Sequence, residues 1–131
     1  MGPFAYLHLM QCCHPHLKHS GDGRVINLGS AVGVLGMLEY DPYGMAKEAV
    51  RSLTRTAARE WGKDGITVNN LLPIADTSGS DRPPLPNVAD RNGLPAEDIA
   101  PVALFLASPD SRFITGTSIS ADGVMTIDAA R

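Results

Sequence analysis

The sequence predicts an α/β fold built on a parallel sheet, and three observations carry that prediction. Short apolar runs at 24–28, 66–72 and about 118–121 read as strands. Segments with apolar residues at spacings of three and four lie before and between them, long enough to cross from one strand to the next. The order strand, helix, strand, helix, strand then gives parallel strands with helices covering both faces.

Residues 3 to 18 carry Phe4, Leu7, Met10 and Leu17 in a helical rhythm, with Pro15 expected to interrupt the last turn. After the turn Ser20-Gly21-Asp22-Gly23, the run Arg24-Val25-Ile26-Asn27-Leu28 is β-branched at its centre, as in a strand buried on both faces. From Pro42 to Trp61, Ala46, Val50, Leu53, Ala57 and Trp61 mark one helix face, and Gly62 and Gly65 supply the stop. Ile66 to Leu72 reads as the second strand, ended by Pro73. Residues 73 to 95 hold Pro73, Pro83, Pro84, Pro86 and Pro95, which predicts a long, irregular and mobile loop of the kind that binds ligands or closes over them. Ala96 to Ser108 resumes helical spacing with Glu97 and Asp98 in its first turn, and the last strand follows at about Ser118 to Ala121.

At 131 residues the chain reads as one domain, 1–131. Hydrophobic residues at 44% and charged residues at 19% exclude a disordered tail and a disulfide-stapled miniature scaffold. The 11 Lys and Arg against 14 Asp and Glu, with no long basic run, argue against nucleic acid and favour a small-molecule substrate. Cys12 and Cys13 are adjacent, a poor arrangement for a structural disulfide, so a reducing cytoplasm is the expected setting. The opening Met1 to Tyr6 has no basic stretch and leads into no long apolar span, so neither a targeting segment nor a membrane partner is expected.

In an open α/β sheet, ligands collect outside the carboxyl ends of the strands, which directs attention to Ser30, Tyr43 and the Pro73 to Thr77 loop. Tyr43 and Lys47 are four apart on one helix, an advance of about 6 Å that leaves both side chains on one face. A free phenol has a pKa of about 10, so proton exchange near neutral pH asks for roughly 4 kcal/mol of preferential stabilisation of phenolate. A neighbouring ammonium acts in that direction. Ser30, at the end of the preceding strand, offers a hydroxyl to a substrate carbonyl or a developing alkoxide. A Tyr-x-x-x-Lys pair alone is usually a solvated helix face; here it stands in order with Asn27-Leu28-Gly29-Ser30-Ala31-Val32-Gly33 before it and Pro73-Ile74-Ala75-Asp76-Thr77 after it.

With those motifs the sequence resembles the short-chain dehydrogenase/reductase family, classical type, similar to 3-oxoacyl-acyl-carrier-protein reductases. In that family a Ser precedes a Tyr-x-x-x-Lys pair, and a strand ending in Asn-x-x-x-Pro follows. The resemblance covers essentially the whole chain. Arg24 to Ser30 looks like the family's fifth strand, Tyr43-Gly44-Met45-Ala46-Lys47 like its active-site helix, and Gly116 to Gly123 like its closing strand. It implies a partial Rossmann-like, doubly wound sheet of three strands with covering helices, the carboxyl-terminal half of the family's domain. It further implies that Tyr43 is the general acid/base, that Lys47 favours its ionised form and holds the nicotinamide ribose, and that Ser30 orients the substrate oxygen. Pro73, Ile74 and Thr77 match the loop that touches the nicotinamide. The implied reaction is hydride transfer between NAD or NADP and a carbonyl or alcohol, and the implied partner is a second copy of the chain, through the helices near 3–19 and 42–61.

The sequence departs from the family pattern in three ways. The Gly-rich phosphate loop, the residue that selects NAD or NADP and the Asn-Ala-Gly strand are absent, and Gly2-Pro3-Phe4 resembles the fourth helix just past the active-site Asn. The common Pro-Gly after the sixth strand is Pro73-Ile74, and the second glycine of the last motif is Val124. The expectation is therefore a chain with negligible activity by itself, or a non-catalytic oligomerisation module derived from the family, with an exposed sheet edge and a tendency to self-associate.

The cluster Cys12, Cys13, His14, His16 and His19 suits zinc by donor type but matches no common zinc spacing, so helix-end polar residues are the simpler reading and no metal is expected. Asn69 and Asn70 read as backbone-bonding residues, and Trp61 as packing.

Overall fold

The computed structural model describes residues 2–77 and 90–127. Helix α1 (Pro3–Ser20) leads into β1 (Arg24–Leu28), a short α2 (Ala31–Leu35) and the long α3 (Asp41–Trp61). A 3-10 turn at Gly62–Asp64 enters β2 (Thr67–Pro73); a π turn at Pro95–Ile99 opens α4 (Ala100–Ala107), and a 3-10 turn at Pro109–Ser111 precedes β3 (Ser118–Ala121). The three strands form one parallel sheet in the order β1-β2-β3. Asn27 stands opposite Asn70, Leu28 opposite Leu71, and Pro73 opposite Ala121. The predicted three-stranded parallel α/β architecture is thus the observed one.

Helix α1 runs through Pro15 to Ser20 and ends at Gly21, whose φ of 70° lets its N–H donate to the Lys18 carbonyl. The expected interruption is absent because the proline costs one bond on an exposed face near the helix end, where water reaches the freed carbonyl. Phe4, read from spacing as part of the buried face, is 74% exposed, and Met10 is the buried residue of this helix.

Strand β2 is buried along its length up to Pro73, as a central strand flanked on both sides must be. Strand β1 pairs only with β2 among the described residues, and it is half-buried with Leu28 exposed. The sequence reading of β1 as buried on both faces is therefore corrected: its β-branched centre packs against helices, and its outer edge is open.

One face of the sheet carries α1 and α3, which meet in a cluster of Met10, Ala57, Ala58, Ile66 and Val68, with Leu17, Val25, Leu53 and Trp61 against it. Alternation along the strands sends Leu71 to the other face, where α4 packs on β1 and β2 and buries Leu106 completely. Because α4 is apolar on every side, it leaves Leu104 and Phe105 on the surface. The turn between α3 and β2 is pinned to α1 by Asp64, whose carboxylate meets Lys18 Nζ at 2.9 Å and His14 Nε2 at 3.1 Å. The Lys18 ammonium and, after it, the His14 ring hold this carboxyl below its usual range, against the opposing effect of burial. His14 also stacks at 4.6 Å on Trp61, which packs as the sequence implied.

Candidate active site

At the carboxyl end of β1 the chain turns through Gly29 into Ser30, the N-cap of α2. Ser30 is extended, buried, and accepts the Val32 N–H on its Oγ at 3.2 Å. That bond uses one lone pair and leaves the hydroxyl proton free to donate. Helix α2, which the sequence reading did not include, returns the chain across α3. The crossing depends on two glycines. A Cβ on Gly33 would stand 2.6 Å from Glu48 Cγ, and Gly44 lies under Gly33 Cα and Val32. Without side chains there, α2 settles on the first turns of α3 and sets Ser30 on the rim that α3 overlooks.

On α3, Lys47 and Tyr43 meet as their spacing predicts. Lys47 Nζ lies 5.6 Å from the centre of the Tyr43 ring and donates at 2.8 Å to the Leu28 carbonyl, the last of β1 and two residues before Ser30. The ammonium is within cation–π range of the ring. Tyr43 is 46% exposed, so its phenol is open to a ligand. Tyr6 of α1 completes the cluster. Its hydroxyl donates to the same Leu28 carbonyl at 3.2 Å, and its ring centre lies 5.7 Å from Lys47 Nζ. Nothing in local sequence marks Tyr6, because its partners are 22 and 41 residues away; only the packing of α1 beside β1 brings it in.

Pro73, Ile74 and Thr77 stand at the end of β2. The backbone of Ile74 is bonded on both sides: its N–H donates to Ala121 O and its carbonyl accepts from Gly93, both at 3.0 Å. The Ile74 side chain lines a depression of about 410 Å³ with Arg91, Asp98, Ser120, Asp122 and Thr126. Thr77 is exposed, and the expected loop beyond it, residues 78–89, lies outside the described residues. The structure therefore gathers Tyr43 and Lys47 at the β1 rim, with Ser30 on the same turn, and places Pro73 and Ile74 one strand over.

Of the other polar residues singled out in the sequence, Asn69 and His14 are bonded within the fold and the cysteines are not. Asn69 donates to Ile114 O and accepts the Thr117 N–H, tying β2 to the entry of β3. Cys12 and Cys13 are exposed on α1, and His14 is engaged by Asp64. Among the described residues no three His, Cys, Asp or Glu side chains converge, and no helix is long and apolar enough to cross a membrane.

The chain has counterparts among known proteins. A family model described as enoyl-(acyl carrier protein) reductase matches residues 4–126. The chain belongs to the short-chain dehydrogenase/reductase family. Its similarity to individual members of that family runs over nearly the whole chain. It is 36% identical to a 12α-hydroxysteroid dehydrogenase from Clostridium sp. over 95% of this chain and 52% of that protein. It is 35% identical to a tropinone reductase homolog from Arabidopsis thaliana over 92% of this chain and 50% of that one. A solved short-chain type dehydrogenase/reductase from Mycobacterium ulcerans superposes with a TM-score of 0.79 at 26% identity, over 89% of this chain and 46% of that one. The chain thus spans about half the length of the curated relatives it matches. Members of the family generally use NAD or NADP.

The donor set at the β1 rim fits the ribose part of such a cofactor. Lys47 keeps two N–H donors beyond the one given to Leu28 O, and Tyr43 offers a phenol that can donate or accept. Sugar hydroxyls need such groups. The Ile74 N–H is already given to Ala121 O, so Ile74 would offer a nicotinamide ring its side chain and the second lone pair of its carbonyl.

Proposed function

We propose that this chain carries the acid–base half of an NAD- or NADP-dependent oxidoreductase that interconverts a carbonyl and an alcohol. The observation that supports this most directly is the placement of the Lys47 ammonium 5.6 Å from the Tyr43 ring centre and 5.7 Å from that of Tyr6, anchored to the last carbonyl of β1. In this reading Tyr43 gives a proton to the substrate oxygen during reduction and takes it back during oxidation. Lys47 donates to the ribose hydroxyls beside Tyr43. Ser30 donates its free hydroxyl proton to the substrate oxygen and orients it. Pro73, Ile74 and Thr77 bound the nicotinamide side of the pocket. The bound cofactor supplies the hydride.

Holding the cofactor firmly also takes a helix N-terminus against its pyrophosphate, and these 131 residues contain no Gly-rich loop to present one. The chain alone should therefore show no saturable micromolar binding when NADH or NADPH is titrated and nicotinamide fluorescence is followed; saturation in that range overturns this dependence. The chemical reading is tested by joining residues 2–131 to the amino-terminal part of the Mycobacterium ulcerans relative. The joined protein should reduce carbonyl substrates with NADH or NADPH, and Tyr43→Phe should lower the rate by a factor of about 10² to 10⁴. A folded, cofactor-binding chimaera whose Tyr43→Phe form works equally well rules out the assigned role.

A second reading, a non-catalytic association module, is favoured by apolar side chains left on the two helices expected to pair subunits. Phe4 and Leu9 on α1 and Met45 on α3 are all more than half exposed. A homo-oligomer through these helices would cover them, and light scattering that gives the mass of a stable monomer excludes it.

A further inference from the structure

We propose that Thr54 is a positioning residue, which fixes the rotation and height of α3 on the sheet and so aims Tyr43 and Lys47 at the β1 rim. The inference rests on the reading of Tyr43 and Lys47 as the acid–base pair and goes beyond it to what holds them in place.

Positions 43, 47, 50 and 54 follow one another at helical spacings of four, three and four, and form one stripe of α3. At its buried end lies a chain of side-chain hydrogen bonds. Asn27 Nδ2 donates to Thr54 Oγ1 at 2.9 Å, and Thr54 Oγ1 donates to Asn70 Oδ1 at 3.1 Å. All three residues are at least 96% buried. Asn27 and Asn70 are register partners on β1 and β2, so the hydroxyl sits over the junction of two adjacent strands.

The apolar contacts of α3 cannot do the same work. They are non-directional: Val50, Leu53, Ala57, Ala58 and Trp61 hold the helix on the core without any one of them requiring a single alignment. A hydroxyl that must accept from one strand and donate to the next has one position that serves both, because hydrogen bonds weaken steeply with misalignment. The geometry at the other end of the stripe depends on it. Thr54 is tied to Asn27 and Lys47 to the carbonyl of Leu28, the next residue of β1. Two tethers, seven residues apart on the helix, thus end on neighbouring residues of one strand. If the first is released, α3 turns about the second, and the alignment of the Lys47 ammonium with the Tyr43 and Tyr6 rings is lost.

Valine has the shape of threonine without the donor or the acceptor. In Thr54→Val the two amides can close on one another across the strands, Asn27 Nδ2 to Asn70 Oδ1, which keeps the sheet paired and lets the helix go. Thr54→Ser restores the hydroxyl. The test is an NMR comparison of the wild-type chain with both variants, reading the cross peaks between the Lys47 ε-methylene and the Tyr43 and Tyr6 rings, and the Leu28 carbonyl shift. Thr54→Val should keep dispersed amide resonances, lose those cross peaks and shift the Leu28 carbonyl; Thr54→Ser should recover both. Wild-type cross peaks in a folded Thr54→Val chain overturn the proposal. Should Thr54→Val fail to fold, the wild-type chain decides: a slowly exchanging Thr54 hydroxyl proton close to the Asn70 side chain supports the tether, and one exchanging freely with water refutes it. These readouts need no turnover, so their failure leaves the oxidoreductase reading standing, and an inactive chimaera leaves the tether untouched.

Discussion

The two ends of the sheet's carboxyl rim are built in opposite ways. Beyond β3 the polar groups are used up by the fold. Asp122 is buried and accepts the N–H groups of Val124 and Thr126 together with the Thr126 hydroxyl, whose oxygen lies 2.7 Å from the Ser120 hydroxyl; across the same depression, on the segment before α4, Arg91 and Asp98 pair at 2.6 Å. At β1, by contrast, the bonds run to main-chain atoms and leave reactive ends in the open. Lys47 and Tyr6 converge on one carbonyl, Ser30 accepts a backbone N–H, and Tyr43 presents its ring and hydroxyl to solvent. Both regions hold hydroxyls and charges at strand ends. What separates a candidate active site from a loop clasp is whether those groups still have bonding capacity once the chain has folded.

The β1 end is the easier of the two to break. A methyl at Gly33 would meet Glu48 Cγ at 2.6 Å and Oε1 at 2.8 Å, and Glu48 is itself held by Arg51 at 3.0 Å. Gly33→Ala must therefore either lift α2 from α3, at a cost of about 1–3 kcal/mol, or swing Glu48 off Arg51, a partly exposed pair whose loss costs under about 1 kcal/mol. Thermal unfolding should show the loss, and amide shifts should change along Ser30 to Met37 while the loop after β3 stays as it was. Unchanged stability and shifts would mean that the close approach of α2 and α3 is not what holds Ser30 on the rim.

The β3 end can be improved instead. Val124 has a φ of 78°, where a β-branched residue is strained by about 1–2 kcal/mol, and its side chain is 60% exposed, so little burial offsets that cost. Val124→Gly relieves the strain and adds about 0.5–1 kcal/mol of unfolded-state entropy. The net expectation is a gain of about 0.5–1 kcal/mol, seen as a higher melting temperature, with the β1 rim unaffected. A lower melting temperature would show that the Val124 side chain contributes packing that outweighs its backbone strain.

The contrast also explains what could be read from sequence. The strands at 24–28, 66–72 and 118–121 and the helix to Trp61 were legible because burial imposes a period on the chain, and Tyr43 with Lys47 was legible because helical spacing is local. Helix α2 is too short for periodicity, and Tyr6 and Thr54 act through partners far away in the chain, so nothing near them in sequence marks their roles. Pro15 misled because it falls on an exposed face near the helix end, where water takes up the one bond it removes. Phe4 misled because an apolar residue on a helix is buried only if something covers it.

The smallest expected effect separates the two ends by their response to acid. Asp98 accepts from the Arg91 guanidinium and from the Leu94 N–H, and these bonds, the Arg91 one foremost, hold its carboxyl below the usual range while raising Arg91. An unfolded chain would protonate Asp98 near pH 4, whereas the folded chain resists until lower pH. Its contribution is therefore fully present above about pH 4 and disappears as the pH falls through the depressed folded value. The bonds on the β1 side run from an ammonium and a phenol to a carbonyl, and none of them involves a carboxylate. On acidification from pH 6, the Leu94 amide resonance should move in a step below the ordinary carboxyl range, a step missing in Asp98→Asn, while the Leu28 carbonyl shift holds until the chain unfolds. If both signals move together through one midpoint, the two ends are a single cooperative unit and the division drawn between them fails. If Leu94 moves alone, the Arg91–Asp98 clasp before α4 loosens independently, and the candidate active site keeps its geometry without it.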